Sequence, residues 1–368
     1  MVLLKTTLVA LLAALTTATP IEKRSGKFLV HQLQATQVPE ISKRDDSLDF
    51  EDTTVRYTTD LNIGSSKESV KVMIDTGSWR LNVPGPGAKC LRYASCPAGS
   101  VFHPDKSNTF HNSTIQYIST YGSGETSVTG FTVHDNLFFD NGDEIPQFEF
   151  EVANKTDFEM GWLGVRYSSE PDASYVVAAK RAGLVDHAGF SLYLGPDGQT
   201  GTFIVGGVDK AKYEGELAFY DTDYFFQGKS VTTGDGNVIP LTRQIGIDSG
   251  NPRLAFDQNI VDAIIEEVGA DKNGNVPCVN IWTGNKNLTL DLGEITIDVP
   301  YSAIFTEISN NPGWCHGQLE NTDKTGNEQY LGLPFVRQIY LTQDFDTKRL
   351  GFAPVKHTDE SNIVDFWF

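Results

Sequence analysis

The chain has 368 residues, of which 39% are hydrophobic and 21% are charged, with 34 glycines and 16 prolines. Such proportions are typical of globular proteins and exclude collagen-like, coiled-coil and wholly disordered chains. The 29 lysines and arginines are outnumbered by 48 aspartates and glutamates, which leaves a net charge of −19. Because so acidic a surface repels a phosphate backbone, we expect no nucleic-acid partner.

The N-terminus has the pattern of a secretory signal. Lys5 precedes an apolar run over residues 8–15, and small residues and Pro20 follow it. A transmembrane helix needs about 20 apolar residues, so this run is too short to be an anchor. We therefore predict a signal peptide over residues 1–19, secretion of the protein and no membrane partner.

Two dibasic pairs follow the predicted signal, at residues 23–24 and 43–44. Their position, before the first strand-like pattern, predicts processing sites and a propeptide over residues 20–44. Residues 1–44 carry six lysines and arginines but two acidic residues, so their removal would make the chain more acidic. The sequence allows removal by the protein itself or by a kexin-like protease.

From about residue 50 onward the pattern predicts a mostly β protein. Short runs rich in β-branched and aromatic residues alternate with Gly, Asn and Asp, which is typical of short strands and turns. Predicted strands cover residues 55–63, 69–74, 115–119, 127–133, 148–152, 202–205 and 288–297, with a turn at 64–67. Helical periodicity appears over residues 260–268, with Asp257 as predicted N-cap, and over 175–182 and 334–337.

An internal repeat divides the chain into two halves. Residues 72–77, Val-Met-Ile-Asp-Thr-Gly, are echoed by residues 245–250, Ile-Gly-Ile-Asp-Ser-Gly. Each copy is followed by an apolar–apolar–glycine element, at residues 162–164 and 330–332. We therefore predict a monomer with two pseudo-twofold-related β lobes around a cleft. The first lobe would span residues 45–215, the second 216–356, and residues 357–368 would form a tail.

The four cysteines and the sequons suit a secreted protein. Four cysteines allow three pairings, and proximity within each half favours two bonds, Cys90–Cys96 and Cys278–Cys315. Three Asn-x-Ser/Thr sequons are predicted glycosylation sites, at Asn112, Asn154 and Asn287.

The repeated aspartates, Asp75 and Asp248, have the chemistry of a catalytic carboxylate pair. Two carboxylates at hydrogen-bond distance cannot both ionise cheaply, so they share a proton. The ionised one can then take a proton from a water molecule while the protonated one polarises a carbonyl. The motifs of zinc and serine hydrolases, His-Glu-x-x-His and Gly-x-Ser-x-Gly, are absent from the sequence. We therefore expect no metal site.

The residues that follow each aspartate are suited to hold such a pair. Gly77 and Gly250 would let the two loops approach without Cβ clashes. The hydroxyls of Thr76 and Ser249 are placed to bond to the backbone of the opposite loop. Together with Ser78, they are the predicted supports of the dyad.

The sequence resembles pepsin-family aspartic proteases, in particular the secreted fungal, candidapepsin- or yapsin-like branch. The similarity runs from about residue 57 to residue 353 and includes residues 119–124, Ser-Thr-Tyr-Gly-Ser-Gly, which are similar to the flap hairpin that closes over substrate. The resemblance implies a bilobed pepsin-like fold and an endopeptidase that cleaves peptides or proteins at acid pH, without a cofactor. It implies that Asp75 and Asp248 are catalytic, and that the following residues contact substrate: Tyr121, Gly122, Ser123, Gly77, Gly250 and Asn251.

Several positions near the aspartates depart from the family pattern. Trp79 and Arg80 stand where small and acidic residues are usual, and Asn82 replaces an indole that normally supports the flap tyrosine. Asn251 replaces a hydroxyl residue, and we expect its amide to donate to Asp248 instead. These changes leave a second hypothesis, that the chain is a catalytically weak or inactive relative acting as a binding or inhibitor-like module.

Overall fold

A computed structural model describes residues 27–44, 47–90, 96, 99–121, 126–156, 158, 160–196, 198–271, 273–322 and 328–366. Half of the structure is strand and 11% is helix, which confirms the predicted mostly β fold class. Within the described residues, no helix is long and apolar enough to cross a membrane. The predicted signal peptide lies outside them.

Strands account for most of the regular structure. The strands of the first half are β1 (Leu29–Arg44), β2 (Ser47–Ile63), β3 (Glu68–Asp75), β4 (Leu81–Cys90), β5 (His111–Tyr121), β6 (Thr126–Phe138), β7 (Glu144–Thr156), β8 (Gly161–Gly164), β9 (Gly189–Leu194), β10 (Thr200–Val205) and β11 (Gly207–Asp209). Those of the second half are β12 (Ala218–Tyr220), β13 (Ser230–Thr232), β14 (Val238–Pro240), β15 (Ile245–Ile247), β16 (Leu254–Phe256), β17 (Asn275–Pro277), β18 (Asn287–Asp291), β19 (Thr296–Pro300), β20 (Phe305–Glu307), β21 (Trp314–Gly317), β22 (Leu319–Asn321), β23 (Gln329–Leu331), β24 (Ile339–Asp344), β25 (Arg349–Pro354) and β26 (Ile363–Asp365). The helices are α1 (Tyr175–Arg181), α2 (Gln258–Val268), α3 (Cys278–Trp282), α4 (Tyr301–Ile304) and α5 (Leu333–Val336), besides a 3-10 turn at Pro104–Lys106.

One large sheet joins the two halves of the chain. Its strand order is β12-β25-β24-β9-β10-β1-β2-β3-β8-β4-β7-β6-β5. The second half contributes β12, β24 and β25 to this sheet and forms further sheets of its own, β14-β13-β18-β19, β15-β23-β16-β22 and β17-β21-β20. This sheet therefore joins strands β1–β10 of the first half to three strands of the second half.

The strand pairings around the two aspartates repeat the same pattern in both halves. In the first half, β8 pairs in parallel with β3 and antiparallel with β4, and β4 pairs in parallel with β7. In the second half, β23 pairs in parallel with β15 and antiparallel with β16, and β16 pairs in parallel with β22. The sequence repeat is thus a structural repeat, as expected of a bilobed fold.

The sequence placed most elements correctly but misjudged one strand, and the predicted helix N-cap is confirmed in position without its side-chain hydrogen bond. The predicted strand over residues 288–297 is wrong: it is the hairpin of β18 and β19, because a turn with Gly293 at a φ of 98° interrupts it. Asp257 occupies the N-cap of α2, but its side chain makes no capping hydrogen bond. It accepts a hydrogen bond from Arg243 Nε at 2.7 Å instead, because a charged donor outcompetes a backbone amide.

Segments near both ends of the described residues pair within the sheets. Residues 29–34 of the predicted propeptide pair with β10, and residues 34–44 pair with β2. Leu29 and Leu33 are buried there, and Arg44 pairs with Ser47 at the tip of the β1–β2 hairpin. At the other end, β26 of the predicted tail pairs with β11 of the first half. Residues 29–44 of the predicted propeptide therefore form a strand of the large sheet in the full chain.

The covalent features fall partly within the described residues. Cys278 and Cys315 form a disulfide bond, with their Cα atoms 5.0 Å apart. The side chain of Cys90 is not among those that the structure describes, so the Cys90–Cys96 bond stays a prediction. The sequon asparagines are on strands, Asn112 and Asn154 exposed and Asn287 half-buried, and their glycosylation stays a prediction.

The half-buried His31 of β1 should make the folded chain sensitive to acid. His31 is hydrogen-bonded to the Tyr175 hydroxyl at 2.8 Å and contacts the rings of Phe139 and Phe203. Burial lowers the pKa of His31 to about 4. Since the unfolded chain is protonated first, stability is lost as pH falls from about 6.5 to about 4, by up to about 3 kcal/mol.

We expect His31→Gln to remove this loss. The free energy of unfolding in urea would be measured for both proteins at pH 7 and pH 4. The free energy of unfolding of the wild type minus that of the variant should fall by about 3 kcal/mol between pH 7 and pH 4. An equal difference at both pH values would contradict this role of His31.

Candidate active site

The two aspartates lie at the ends of matching buried strands. Asp75 is the last residue of β3, and Asp248 directly follows β15, whose three residues are all buried. Both carboxylates line one cleft of about 630 Å³ to which the two halves contribute. Because the strands before them are apolar and packed, the aspartates have fixed positions at the floor of this cleft.

Thr76 and Ser249 link the two loops through exchanged hydrogen bonds. Thr76 Oγ1 donates to the carbonyl of Ile247 at 2.7 Å and accepts from the Ser249 amide at 2.9 Å. In the mirror arrangement, Ser249 Oγ donates to the carbonyl of Ile74 at 2.8 Å and accepts from the Thr76 amide at 3.1 Å. Both side chains are buried, so these four bonds are shielded from water.

The glycines of the two loops bring the carboxylates together. The amide of Gly77 donates to Asp75 Oδ1, and the amide of Gly250 donates to Asp248 Oδ1, both at 2.8 Å. A Cβ on Gly77 would lie 2.5 Å from Cγ of Asp248, and one on Gly250 would strike the Asp75 carboxylate. Only glycine therefore allows each loop to pass beneath the opposite carboxylate.

The surroundings of the two carboxylates are not symmetric. Ser78 Oγ donates to Asp75 Oδ2, whereas Asn251 Oδ1 accepts from the Arg253 amide at 2.9 Å. Among the described residues, no hydrogen bond joins the Asn251 side chain to Asp248. The expected donation by Asn251 is thus not what the structure contains, because the amide oxygen closes a local turn of its own backbone.

The asymmetry favours a proton on the second aspartate. Burial, then the charge of Asp75 and a hydrogen bond with it, raise the pKa of Asp248 well above its ordinary value. The Gly250 amide and the charge of Arg56 act in the opposite direction. Asp75, by contrast, receives the Ser78 hydroxyl as well as the Gly77 amide.

The hairpin of β5 and β6 brings Tyr121 to the wall of the cleft. Tyr121 is the last residue of β5 and lines the cleft together with both aspartates. Burial, then the charges of Glu151 and Asp75, raise the pKa of Tyr121 above its usual range. Gly122 and Ser123, the other predicted flap contacts, lie outside the described residues.

The unusual residues after Asp75 all have partners in the structure. Arg166 Cζ lies 5.2 Å from the Trp79 ring and 4.6 Å from the Tyr224 ring, so the indole packs on a cation. Arg80 forms ion pairs with Glu149 at 3.0 Å and with Glu170. The large and cationic side chains at these positions are therefore accommodated and leave the dyad undisturbed.

Asn82 lies in a buried polar group beneath β5. Its Nδ2 donates to the Tyr117 hydroxyl at 2.6 Å and to Glu151 Oε2 at 3.1 Å. Glu151 is 2% exposed, and Arg80 Nε lies 3.8 Å from its other oxygen. Burial raises the pKa of Glu151 to about 7, against the lowering effects of Asn82 and Arg80. Glu151 is therefore protonated in acid and ionises near neutrality.

Sequence reasoning missed the residues that act across strands. Glu151, Trp162, Arg166 and Tyr224 belong to no motif with a chemical signature, and their partners are far away in the sequence. Trp162 is within the repeated apolar–apolar–glycine element, but that pattern predicts a buried strand and gives no sign of which ring the indole contacts.

Fold and site together define the class of protein. A bilobed β structure with one aspartate from each lobe in a shared cleft is an aspartic-type endopeptidase, a hydrolase. The chain belongs to the eukaryotic aspartyl protease family, whose family model matches residues 56–355.

Curated relatives support the same assignment. Candidapepsin-4 of Candida albicans is 27% identical over 371 residues, which cover 93% of this chain and 88% of that protein. Candidapepsin-3 of the same species is 29% identical over 332 residues, 84% of this chain and 82% of that protein. Secreted aspartic protease 5 is 26% identical over 345 residues, 84% and 78% respectively.

Glu151 should make the folded protein more stable in acid than at neutral pH. Its pKa is raised from 4.5 to about 7, so its contribution to stability is full below about 4.5 and is lost as pH rises through 7. The shift corresponds to about 3 kcal/mol between pH 4 and pH 8.

We expect Glu151→Gln, which cannot ionise, to gain about 3 kcal/mol over the wild type between these pH values. Urea unfolding of both proteins at pH 4 and pH 8 measures this gain. If the two proteins keep the same stability difference at both pH values, Glu151 does not carry the pH dependence.

Proposed function

We propose that the protein is a secreted endopeptidase that hydrolyses peptide bonds at acid pH with a water molecule activated by Asp75 and Asp248. The observation that carries this proposal is the pair of crossed hydroxyl bonds, which hold both carboxylates at one point of the cleft. The electrostatic difference between the carboxylates gives each of them a distinct role.

Asp75 is the general base in this proposal, and Asp248 is the general acid. Two donors, Ser78 and Gly77, stabilise the ionised form of Asp75, while burial and the Asp75 charge keep the proton on Asp248. Asp75 takes a proton from water as the oxygen attacks the peptide carbonyl, and Asp248 donates its proton to the carbonyl oxygen. The resulting diol then collapses: one of its hydroxyls returns a proton to Asp248, the C–N bond breaks, and the proton on Asp75 passes to the leaving amine.

The peptide would lie in an extended form between the β5–β6 hairpin and the two catalytic loops. Tyr121 and the loop residues around both aspartates line the cleft, which supports their assignment as substrate contacts. Gly122 and Ser123 join this set by position in the hairpin. Activity should fall towards neutral pH, because the proton on Asp248 is lost and the carbonyl is no longer polarised.

Secretion and processing are part of the proposal. The names of the relatives include secreted aspartic proteases, and this chain begins with a signal-like segment followed by two dibasic pairs. We assign residues 1–19 to the signal, 20–44 to the propeptide, and 45–215 and 216–356 to the lobes of a monomeric enzyme. Among the described residues, both carboxylates and the crossed hydroxyl bonds that hold them are in place, which supports a working enzyme over the inactive, binding-module hypothesis.

Loss of either carboxylate should abolish cleavage. The purified mature chain would be incubated with a denatured protein at acid pH, with and without pepstatin. Wild-type cleavage should be pepstatin-sensitive, and Asp75→Asn and Asp248→Asn should each be inactive because one proton carrier is gone. Asp262→Asn, an exposed position on α2, is the matched control and should retain full activity. Residual cleavage above a few per cent in either dyad variant would place the chemistry elsewhere.

A further inference from the structure

The aromatic side chain that supports Tyr121 lies on a different strand from the one that the sequence suggests. We propose that Trp162 is a positioning residue, which holds the Tyr121 ring at the wall of the cleft, where the ring contacts the bound peptide. This role rests on the proposed function, since it acts through a residue that contacts substrate. Asn82, at the position where an indole would be expected, has a separate task.

The rings of Trp162 and Phe158 pack against the Tyr121 ring, and we call this pair the seat of Tyr121. The Trp162 and Tyr121 rings meet edge to face, with centroids 5.0 Å apart and an interplanar angle of 88°. Phe158 contacts both, at 5.4 Å from Tyr121 and 4.2 Å from Trp162. Edge-to-face geometry is a favourable arrangement for aromatic pairs. Tyr121 therefore has a preferred position beside the dyad.

The seat is rigidly connected to the catalytic strand. Trp162 is 1% exposed and lies on β8, where its backbone pairs with Met73 of β3. Two residues further along the same ladder, Gly164 pairs with Asp75. The indole and the first catalytic carboxylate therefore share one pair of strands, so the distance between the tyrosine seat and the dyad is set by backbone hydrogen bonds.

The position of Asn82 is filled by polar contacts that an indole could not make. Asn82 pairs with Trp162 across β4 and β8, and it is 1% exposed. Its amide donates to Tyr117, which lies on β5 four residues before Tyr121, and to Glu151, which lies on β7. Asn82 thus binds the middle of β5, while Trp162 packs against Tyr121 at the end of that strand. The two residues are not interchangeable.

Kinetics of single and combined variants test the contact between Trp162 and Tyr121. Trp162→Leu should lower kcat/KM about tenfold, the effect of one aromatic contact on the barrier. In a Tyr121→Ala background the same substitution should cost less than twofold, because Trp162 acts through that ring. Trp162→Phe should retain most activity, and Trp282→Leu, an exposed tryptophan on α3, is the matched control. Equal costs of Trp162→Leu with and without Tyr121 would overturn the proposal, as would restoration of activity by adding Asn82→Trp.

A spectroscopic readout separates this proposal from the proposed function. In protein labelled with 3-fluorotyrosine, the Tyr121 fluorine resonance is assigned from its loss in Tyr121→Phe. Trp162→Leu and the milder Trp162→Phe should each shift that resonance, since the indole ring current is removed, and Trp282→Leu should not. An unchanged resonance would contradict the seat even in a fully active enzyme. Absence of cleavage by the wild type, with the shift present, would contradict the proposed function alone.

Discussion

The hydrogen bonds that Thr76 and Ser249 exchange across the lobe boundary are the constraint on which the site depends. Each hydroxyl both donates to and accepts from the opposite backbone, so the two loops can only move together. The glycines that follow remove the Cβ atoms that would otherwise separate the carboxylates. Without this arrangement two like charges would move apart, because charge repulsion opposes their contact. The pKa of Asp248 is raised because the loops enforce burial and proximity at once.

The altered residues around the dyad are compensated by contacts that involve several strands. Trp79 packs on Arg166, Arg80 is paired with glutamates, and Asn82 is bound to Glu151 and Tyr117. The contact of Asn82 with Tyr117 reaches β5, and both carboxylates keep the hydrogen bonds of their own loops. The Glu151 carboxyl group, with a pKa of about 7, is neutral in acid, which agrees with the proposed activity at acid pH.

The sequence was sufficient for the parts of the structure that repeat. The two Asp-hydroxyl-Gly motifs and their glycine-ended partners predicted both lobes and the location of the site, because strand period and loop chemistry are local properties. It was insufficient where contacts cross strands. The Tyr121–Trp162 pair joins β5 to β8, and the Asn251 side chain could be placed only once its turn with Arg253 was known. The position of β1 between β10 and β2 likewise depends on tertiary pairing, which a strand-like pattern does not specify.

The proposed mechanism depends on the interaction between the two carboxylates. Carbon-13 NMR of aspartate-labelled protein can follow the Asp248 carboxyl carbon over a pH series, with the resonance assigned from its loss in Asp248→Asn. In the wild type, the pKa of Asp248 should lie well above its ordinary value. In Asp75→Asn it should fall, because one of the charges that oppose ionisation has been removed. A pKa of Asp248 that is the same in both proteins would show that the carboxylates do not share a proton.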